Sequence, residues 1–453
     1  MTHQILTYRG HTKAILTLGL PIVGSHVAQL AITTTDTVMM GWYGVEELAG
    51  LVLAGSMYFV IFLVGAAFSF ALLPMVANAS ERGDDVAVHR ITRMGLWASA
   101  LYVFILLPFM WWSKPWLLAL GQEGLTAQFA QDYLRIVGFG LFPALFLMVM
   151  KNYLAALERT QFMLWLTVIS AVVNAVLNYM LVFGNWGAPE LGVRGAAIAS
   201  VVITSVSFPI LVGYAMKVEP EHVLFKRIWV MDWDALKEVF KLGWPVGLTN
   251  LAETGLFTAT ALMVGWVGAH ELAAHGIALQ WAGLTFMVHL GLSNAATVRV
   301  GRAIGRKDMI GLKRGGVMVT AMSFAFALLI VAIFVTWPEV LIGVFIDHTD
   351  SARDHIINVG VGLLAMAALF QIADGVQVIG LGLLRGAQDT RMPMIYAGIS
   401  YWLIGIPAGY VIGFTFGYGA VGIWMGLVLG LSVAAILLTA RFWLRLKHGQ
   451  LVA

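Results

Sequence analysis

Three acidic residues, Asp36, Glu253 and Asp374, lie well inside long apolar stretches, whereas nearly all the other carboxylates among the 24 Asp and Glu fall between or at the ends of such stretches. A charge inside a bilayer is costly. It usually faces a polar interior and marks an ion or substrate path. Each of the three sits in a polar stripe with helical spacing. Gln29, Thr33 and Asp36 are spaced i, i+4, i+7 and share one face. Asn250 and Glu253 are spaced i, i+3, as are Gln371 and Asp374, with Gln377 one turn further and Gln280 on a neighbouring span. Ser170, Asn174 and Asn178 form a further stripe, and Ser200, Thr204 and Ser207 another.

Such groups suit a coupling ion. Sodium takes hard oxygen ligands: carboxylates, amide carbonyls and hydroxyls. A proton takes a carboxylate whose affinity for it is raised by burial. A lipophilic organic cation competes for the same acids. The alternative is an acid that only fastens helices by bonding to an Asn or Arg. Against that, no basic residue is expected at matching depth.

The setting is a membrane. Of 453 residues, 60% are hydrophobic and only 11% charged. The charges cluster at intervals, leaving runs long enough to span about 30 Å of hydrocarbon as helix. The expected fold class is an all-α polytopic membrane protein with twelve transmembrane helices. The net charge of +3 does not call for a nucleic-acid partner, and the absence of cysteine excludes disulfides and thiol catalysis. Met1–Lys13 is polar, short and without a cleavable-signal pattern, so the first span is expected to direct insertion. No nucleotide-binding loop, metal-ligand cluster or nucleophile motif appears. The chain therefore reads as neither an enzyme nor an ATP-driven pump, and no cofactor is expected beyond a coupling ion.

Lys and Arg set the orientation. With both termini cytoplasmic, all of the 27 except Lys114, Arg135, Arg194 and Arg353 fall on the cytoplasmic side. The longest charged connection, 217–241, reads as a cytoplasmic linker with a short surface helix over 233–240. It separates an N-terminal six-helix lobe, 1–216, from a C-terminal one, 242–453.

The two halves repeat. Leu18-Gly19-Leu20-Pro21 recurs 224 residues later as Leu242-Gly243-Trp244-Pro245, and Gly41-Trp42-Tyr43-Gly44 as Gly265-Trp266-Val267-Gly268. Six spans per half is even, so the repeats share one orientation. A parallel repeat of this kind suits alternating access. Matched prolines at 21 and 245, and Pro407, are expected to kink helices or free a backbone carbonyl. At the 224 offset Glu253 replaces Gln29 and Thr260 replaces Asp36, so the lobes keep a scaffold but not a charge pattern. His26, His275 and His289 read as helix-packing hydrogen bonders, and Trp42, Trp266 and the Trp111-Trp112-Trp116 group as interfacial anchors.

The runs Thr34-Thr35-Asp36-Thr37-Val38-Met39, Thr297-Val298-Arg299-Val300-Gly301, Gln371-Ile372-Ala373-Asp374-Gly375-Val376-Gln377-Val378-Ile379 and Leu384-Arg385-Gly386-Ala387-Gln388-Asp389-Thr390-Arg391, with Pro245 followed by Glu253, carry a resemblance. The chain resembles the multidrug and toxic compound extrusion (MATE) transporters, most closely the NorM-like branch, over nearly its whole length. The resemblance implies export of cationic amphipathic drugs and dyes through the inner membrane in exchange for sodium or protons. It implies a C-lobe cation site built on Glu253 and Asp374, and an N-lobe coupling site at Asp36 with Asn174 and Asn178. Asn178 stands where some relatives have Asp, which favours sodium over a proton pair. Substrate is expected to contact Asp36 and apolar side chains of spans 1, 2, 7 and 8, and a monomer suffices. A lipid-intermediate flippase is the alternative; it would want a strongly basic cavity, and the spans lack internal Lys or Arg.

The charge asymmetry predicts topology directly. A reporter enzyme active only in the cytoplasm is expected to be active when fused after Ala453 and inactive when inserted at Gln122. The reverse pattern would overturn the assigned orientation.

Overall fold

Twelve long helices carry the chain in the computed structural model, which describes residues 7–347 and 352–451. Of the polar Met1–Lys13 segment, residues 1–6 therefore lie outside the description. The helices are α1 (Tyr8–Tyr43), α2 (Val45–Glu81), α3 (Asp85–Trp111), α4 (Gly124–Ala156), α5 (Gln161–Leu181), α6 (Val193–Val218), α7 (Trp233–Val267), α8 (Ala269–Gly305), α9 (Met309–Thr336), α10 (Arg353–Gly386), α11 (Arg391–Thr415) and α12 (Gly419–Lys447). Among the described residues there is no strand. Eleven of the twelve are long and apolar enough to cross a bilayer. The exception is α7, 35 residues long but diluted by Asn250, Glu253, Thr254, Thr258 and Thr260.

An α-helix satisfies its own backbone, so in hydrocarbon it need only present apolar side chains. These helices do. Ile105, Trp165, Leu329 and Leu403 are exposed along their lengths, while Asn174, Asn178, Gln371, Asp374 and Gln377 are buried. Trp42 and Trp266 stand exposed at the ends of α1 and α7. Several helices overrun the hydrocarbon. One of them, α10, is helical from Arg353 to Gly386 and takes in Arg385. The short surface helix expected over 233–240 is instead the start of α7 itself, continuous through Pro245 to Val267. Likewise α1 runs unbroken through Pro21.

The repeat is visible in the turns. Asp84 caps α3 by accepting from Ala87 N at 2.9 Å; Asp308, 224 residues on, caps α9 by accepting from Gly311 N at 2.8 Å. Before each cap one residue turns left-handed, Gly83 at φ +67° and Lys307 at φ +58°. Lysine has no special liking for that region, at a cost of about 1–2 kcal/mol, so the turn is dictated by the cap and not by the residue. A second pair of left-handed turns, Glu158 and Gln388, follows α4 and α10. From there the two halves run 230 residues apart.

The chain divides into two compact units, one of residues 1–23 with 248–453, the other of residues 24–247. Thus α1 and α7 each contribute to both. Within the second of these, α4 is the centre, with α2, α3 and α6 packed on it. Its Leu134, Leu141 and Leu145 are fully buried. Within the other, α10 is the centre, with α8, α9 and α12 packed on it. There α11 lies against α12 through Gly405, Gly409 and Gly413 facing Gly422, Gly426 and Gly430. The backbones approach so closely that a Cβ on Gly426 would sit 2.1 Å from Gly409 N. Helix association in lipid depends on such close packing. Flanking Pro407, α11 widens into π-helical turns at Ile399–Gly405 and Val411–Thr415.

Gly426→Ala is therefore expected to lower the thermal melting point of the purified protein by an amount reflecting about 1–3 kcal/mol of overpacking. Gly55→Ala, whose new methyl meets nothing within 4 Å, should leave it unchanged. A melt followed by light scattering or size-exclusion recovery reads both.

Candidate functional site: two buried carboxylate clusters

Each compact unit holds its own acid site, and the two are built on opposite principles. In unit 24–247 the acid comes from the first helix and has a donor at each carboxylate oxygen. Asp36 Oδ1 accepts from Asn178 Nδ2 at 2.5 Å, and Oδ2 accepts from Ser200 Oγ at 3.4 Å. The same Asn178 amide also donates to Asn174 Oδ1 at 3.2 Å, and Asn174 faces the carboxylate too. The Asn174–Asn178 spacing puts both amides on one face of α5. Ser170 and Ser207 bond at 3.1 Å further along the α5–α6 seam. Tyr133 of α4 is buried beside Ser200. Gln29 and Thr33 do not join; both are exposed on α1, where the Thr33 hydroxyl donates to the Gln29 carbonyl at 3.4 Å.

In the other unit the acids come from α7 and α10 and lack donors. Asp374 is completely buried, and neither carboxylate oxygen has a hydrogen-bond partner. Glu253, half-buried on α7, has Oε1 unpartnered as well and lies close enough to Asp374 for their charges to interact. The side-chain carbonyl oxygens of Gln371 and Gln377 are buried without donors. Their amide nitrogens are engaged elsewhere, Gln371 Nε2 on Thr285 Oγ1 at 2.5 Å and Gln377 Nε2 on Tyr401 OH at 2.6 Å. The amides thus spend their donors on Thr285 and Tyr401 and leave their oxygens unpaired. Gln280 is exposed on α8 and stands apart; α8 contributes Thr285 and His289 instead. His289 Nδ1 pairs with Ser323 Oγ at 2.7 Å, and His275 Nδ1 accepts from Trp424 Nε1 at 2.9 Å, so both fasten helices.

One expectation needs correcting. Basic groups do lie at helix depth. Arg385, counted from sequence among loop charges, is inside α10, half-buried, with Nη2 donating to Asn250 Oδ1 at 3.1 Å. Its charge faces Glu253 and Tyr401. In the other unit Lys151, also within a helix, donates to Thr167 Oγ1 at 3.2 Å and lies near His26. By charge bias alone Arg385 counts among the cytoplasmic charges. The signal that bias passes over is spacing: Arg385 follows Asp374 by eleven residues, three helical turns, on the same face. Tyr401 was missed because a lone Tyr in an apolar run carries no periodic mark.

The central helices state the asymmetry most plainly. At the 230-residue spacing, Gln371, Asp374, Gln377 and Arg385 of α10 correspond to Leu141, Ala144, Leu147 and Ala155 of α4. The same scaffold position is a greasy spine in one unit and a polar site in the other. Among the described residues no three His, Asp or Glu side chains gather as a metal cage. The α10 cluster instead consists of carboxylate and amide oxygens that have no hydrogen-bond donor.

The family model described as MatE matches residues 21–180 and 245–411. The chain belongs to the MatE family. It is 43% identical over 440 residues to a protein of Rhizobium meliloti named probable multidrug resistance protein NorM, covering 97% of this chain and 94% of that one. An identically named protein of Agrobacterium fabrum is 43% identical over 445 residues, covering 98% and 96%. Among solved structures, an outward-facing conformation of a multidrug resistance MATE family transporter superposes with a TM-score of 0.86 at 20% identity over 99% of both chains. The eukaryotic MATE transporter AtDTX14 gives 0.85 at 20% identity over 96% of both. The two-lobe MATE fold of twelve transmembrane helices is therefore this chain's fold.

The two MatE acid sites should respond oppositely to neutralisation. Asn178→Leu strips Asp36 of its main donor and is expected to cost about 1–3 kcal/mol; Asp36→Asn should not stabilise. Asp374→Asn removes a buried charge with no donor, so it should raise the melting point in buffer free of sodium. A fall in melting point for Asp374→Asn would show that its carboxylate is already compensated.

Proposed function

We propose that this chain is a multidrug efflux transporter working as a cation-coupled antiporter, exporting amphipathic, mostly cationic compounds by alternating access. It takes up sodium or a proton at Glu253 and Asp374. The relatives' names support the efflux class, and the donor-free oxygens around Asp374 support the coupling. Glu253 Oε1, both Asp374 oxygens and the carbonyl oxygens of Gln371 and Gln377 have no hydrogen-bond partner. Burying such a set is unfavourable unless a cation visits it. Five oxygens and no free donor suit sodium better than a proton, which needs only one of them. Asp36, compensated by neutral amides and hydroxyls, serves as the second cation-responsive group and as the contact for cationic substrate.

Coupling requires that ion and drug favour different states, because a ligand with equal affinity for both drives nothing. The ion stabilises the arrangement in which α7 and α10 close around it; the drug stabilises the other. Each acid site is made from residues of one unit of one chain, which supports a working monomer in the inner membrane. The Lys and Arg bias puts both termini in the cytoplasm.

Ethidium efflux from proteoliposomes tests this, with a sodium gradient and a pH gradient imposed separately. Efflux is expected with sodium alone and should fall at least tenfold in Glu253→Gln and in Asp374→Asn, about 1.4 kcal/mol or more of coupling. Efflux driven by ΔpH alone and lost in Asp36→Asn would move coupling to unit 24–247. Efflux under neither gradient would overturn the antiport reading.

A further inference from the structure

Arg385 is the charge at the α10 site that the antiport scheme leaves unused. It sits three turns along α10 from Asp374 on the same face. Side chains on a helix lean toward its N-terminus, so the guanidinium leans back toward Asp374. The carboxylate nearest in charge is Glu253, yet Arg385 is bonded to Asn250 Oδ1, one turn below Glu253 on α7. Glu253 meanwhile keeps Oε1 without a partner. An arginine within reach of a carboxylate but held on a neutral amide is an unfinished ion pair. Its charge faces Glu253 from α7 and Tyr401 from α11, and these two in turn face Asp374 of α10. With both carboxylates ionised and Arg385 present, the cluster carries one net negative charge.

Resting on the antiport reading, we propose that Arg385 is a built-in counter-cation that limits the α10 site to one monovalent cation and displaces that cation by moving from Asn250 to Glu253. While the site is filled, Asn250 holds the guanidinium back. When the ion leaves, the guanidinium takes its place on Glu253, so the empty site is not left with two uncompensated carboxylates. A donor fork with a permanent charge suits this work, since Arg stays protonated at any working pH. At the equivalent place in unit 24–247 stands Ala155.

The test reads cation binding on the purified full chain and needs no transport. Binding of radioactive sodium is measured at equilibrium by scintillation proximity, and proton binding by the pH at which intrinsic tryptophan fluorescence titrates. Asp374→Asn defines the site-specific part of each signal. Arg385→Met keeps the length of the side chain and removes its charge. It is expected to tighten binding of whichever cation the site takes by about tenfold or more, the direction fixed by loss of a nearby like charge, while Arg385→Lys stays near the unsubstituted value. Asn250→Ala is expected to do the opposite, weakening binding because the freed guanidinium settles on Glu253. The double variant should bind as tightly as Arg385→Met alone. A merely structural contact would move both single variants the same way. Unchanged or weaker binding in Arg385→Met, or a double variant as weak as Asn250→Ala, overturns the proposal. If Arg385→Met does not fold, Arg385→Gln carries the same expectation. The antiport reading fails separately, by absent efflux in the unsubstituted protein.

Discussion

Every carboxylate held inside this helix bundle must be compensated without water, and the rest of the structure is arranged around that constraint. Burying an ion costs several kcal/mol even after relaxation. The protein meets that cost in two ways. Asp36 is met permanently, by the Asn178 amide at 2.5 Å and the Ser200 hydroxyl at 3.4 Å. Asp374 is not met by any donor, and the side-chain carbonyl oxygens of Gln371 and Gln377 are likewise buried without donors. The first acid is held by hydrogen bonds, and the second has none.

The repeat explains how one fold supports both. The helices of the two halves begin and end at matching positions, with the same aspartate caps and the same left-handed turn, even where glycine gives way to Lys307. That scaffold constrains packing, not polarity. The spine of α10 is therefore polar at 371, 374, 377 and 385 where α4 has Leu, Ala, Leu and Ala at the matching places. The cost falls on local packing. Where α11 brings Tyr401 to Gln377, it adopts wide π-helical turns and lies against α12 glycine to glycine. Such turns often mark functional sites, and here one holds a buried phenol beside two acids.

Much of this was legible in the sequence. Span count, repeat offset, the three acids and the Asn174–Asn178 face all follow from hydropathy and periodicity, because helices in lipid must be long, apolar and self-satisfied. Asp374 and Gln371 were found for the same reason: a polar stripe on an apolar helix is visible at spacing three or four. The reading erred where a stripe ran past the apolar window. Arg385 was assigned to a loop since a charge near a span end is ordinarily a topology signal, and Gln280 was grouped with the site although its helix turns it outward.

The sequence by itself determined the class, the membrane setting, the duplication and which acids lie deep. It did so because each is written in one-dimensional patterns of charge and apolarity. Only the tertiary structure decided which polar groups meet. That Asp36 has donors and Asp374 has none depends on which atoms of an amide face inward, and an amide can present either its donor or its acceptor. That Arg385 faces Glu253 depends on two helices more than a hundred residues apart lying side by side, a distance no local spacing encodes.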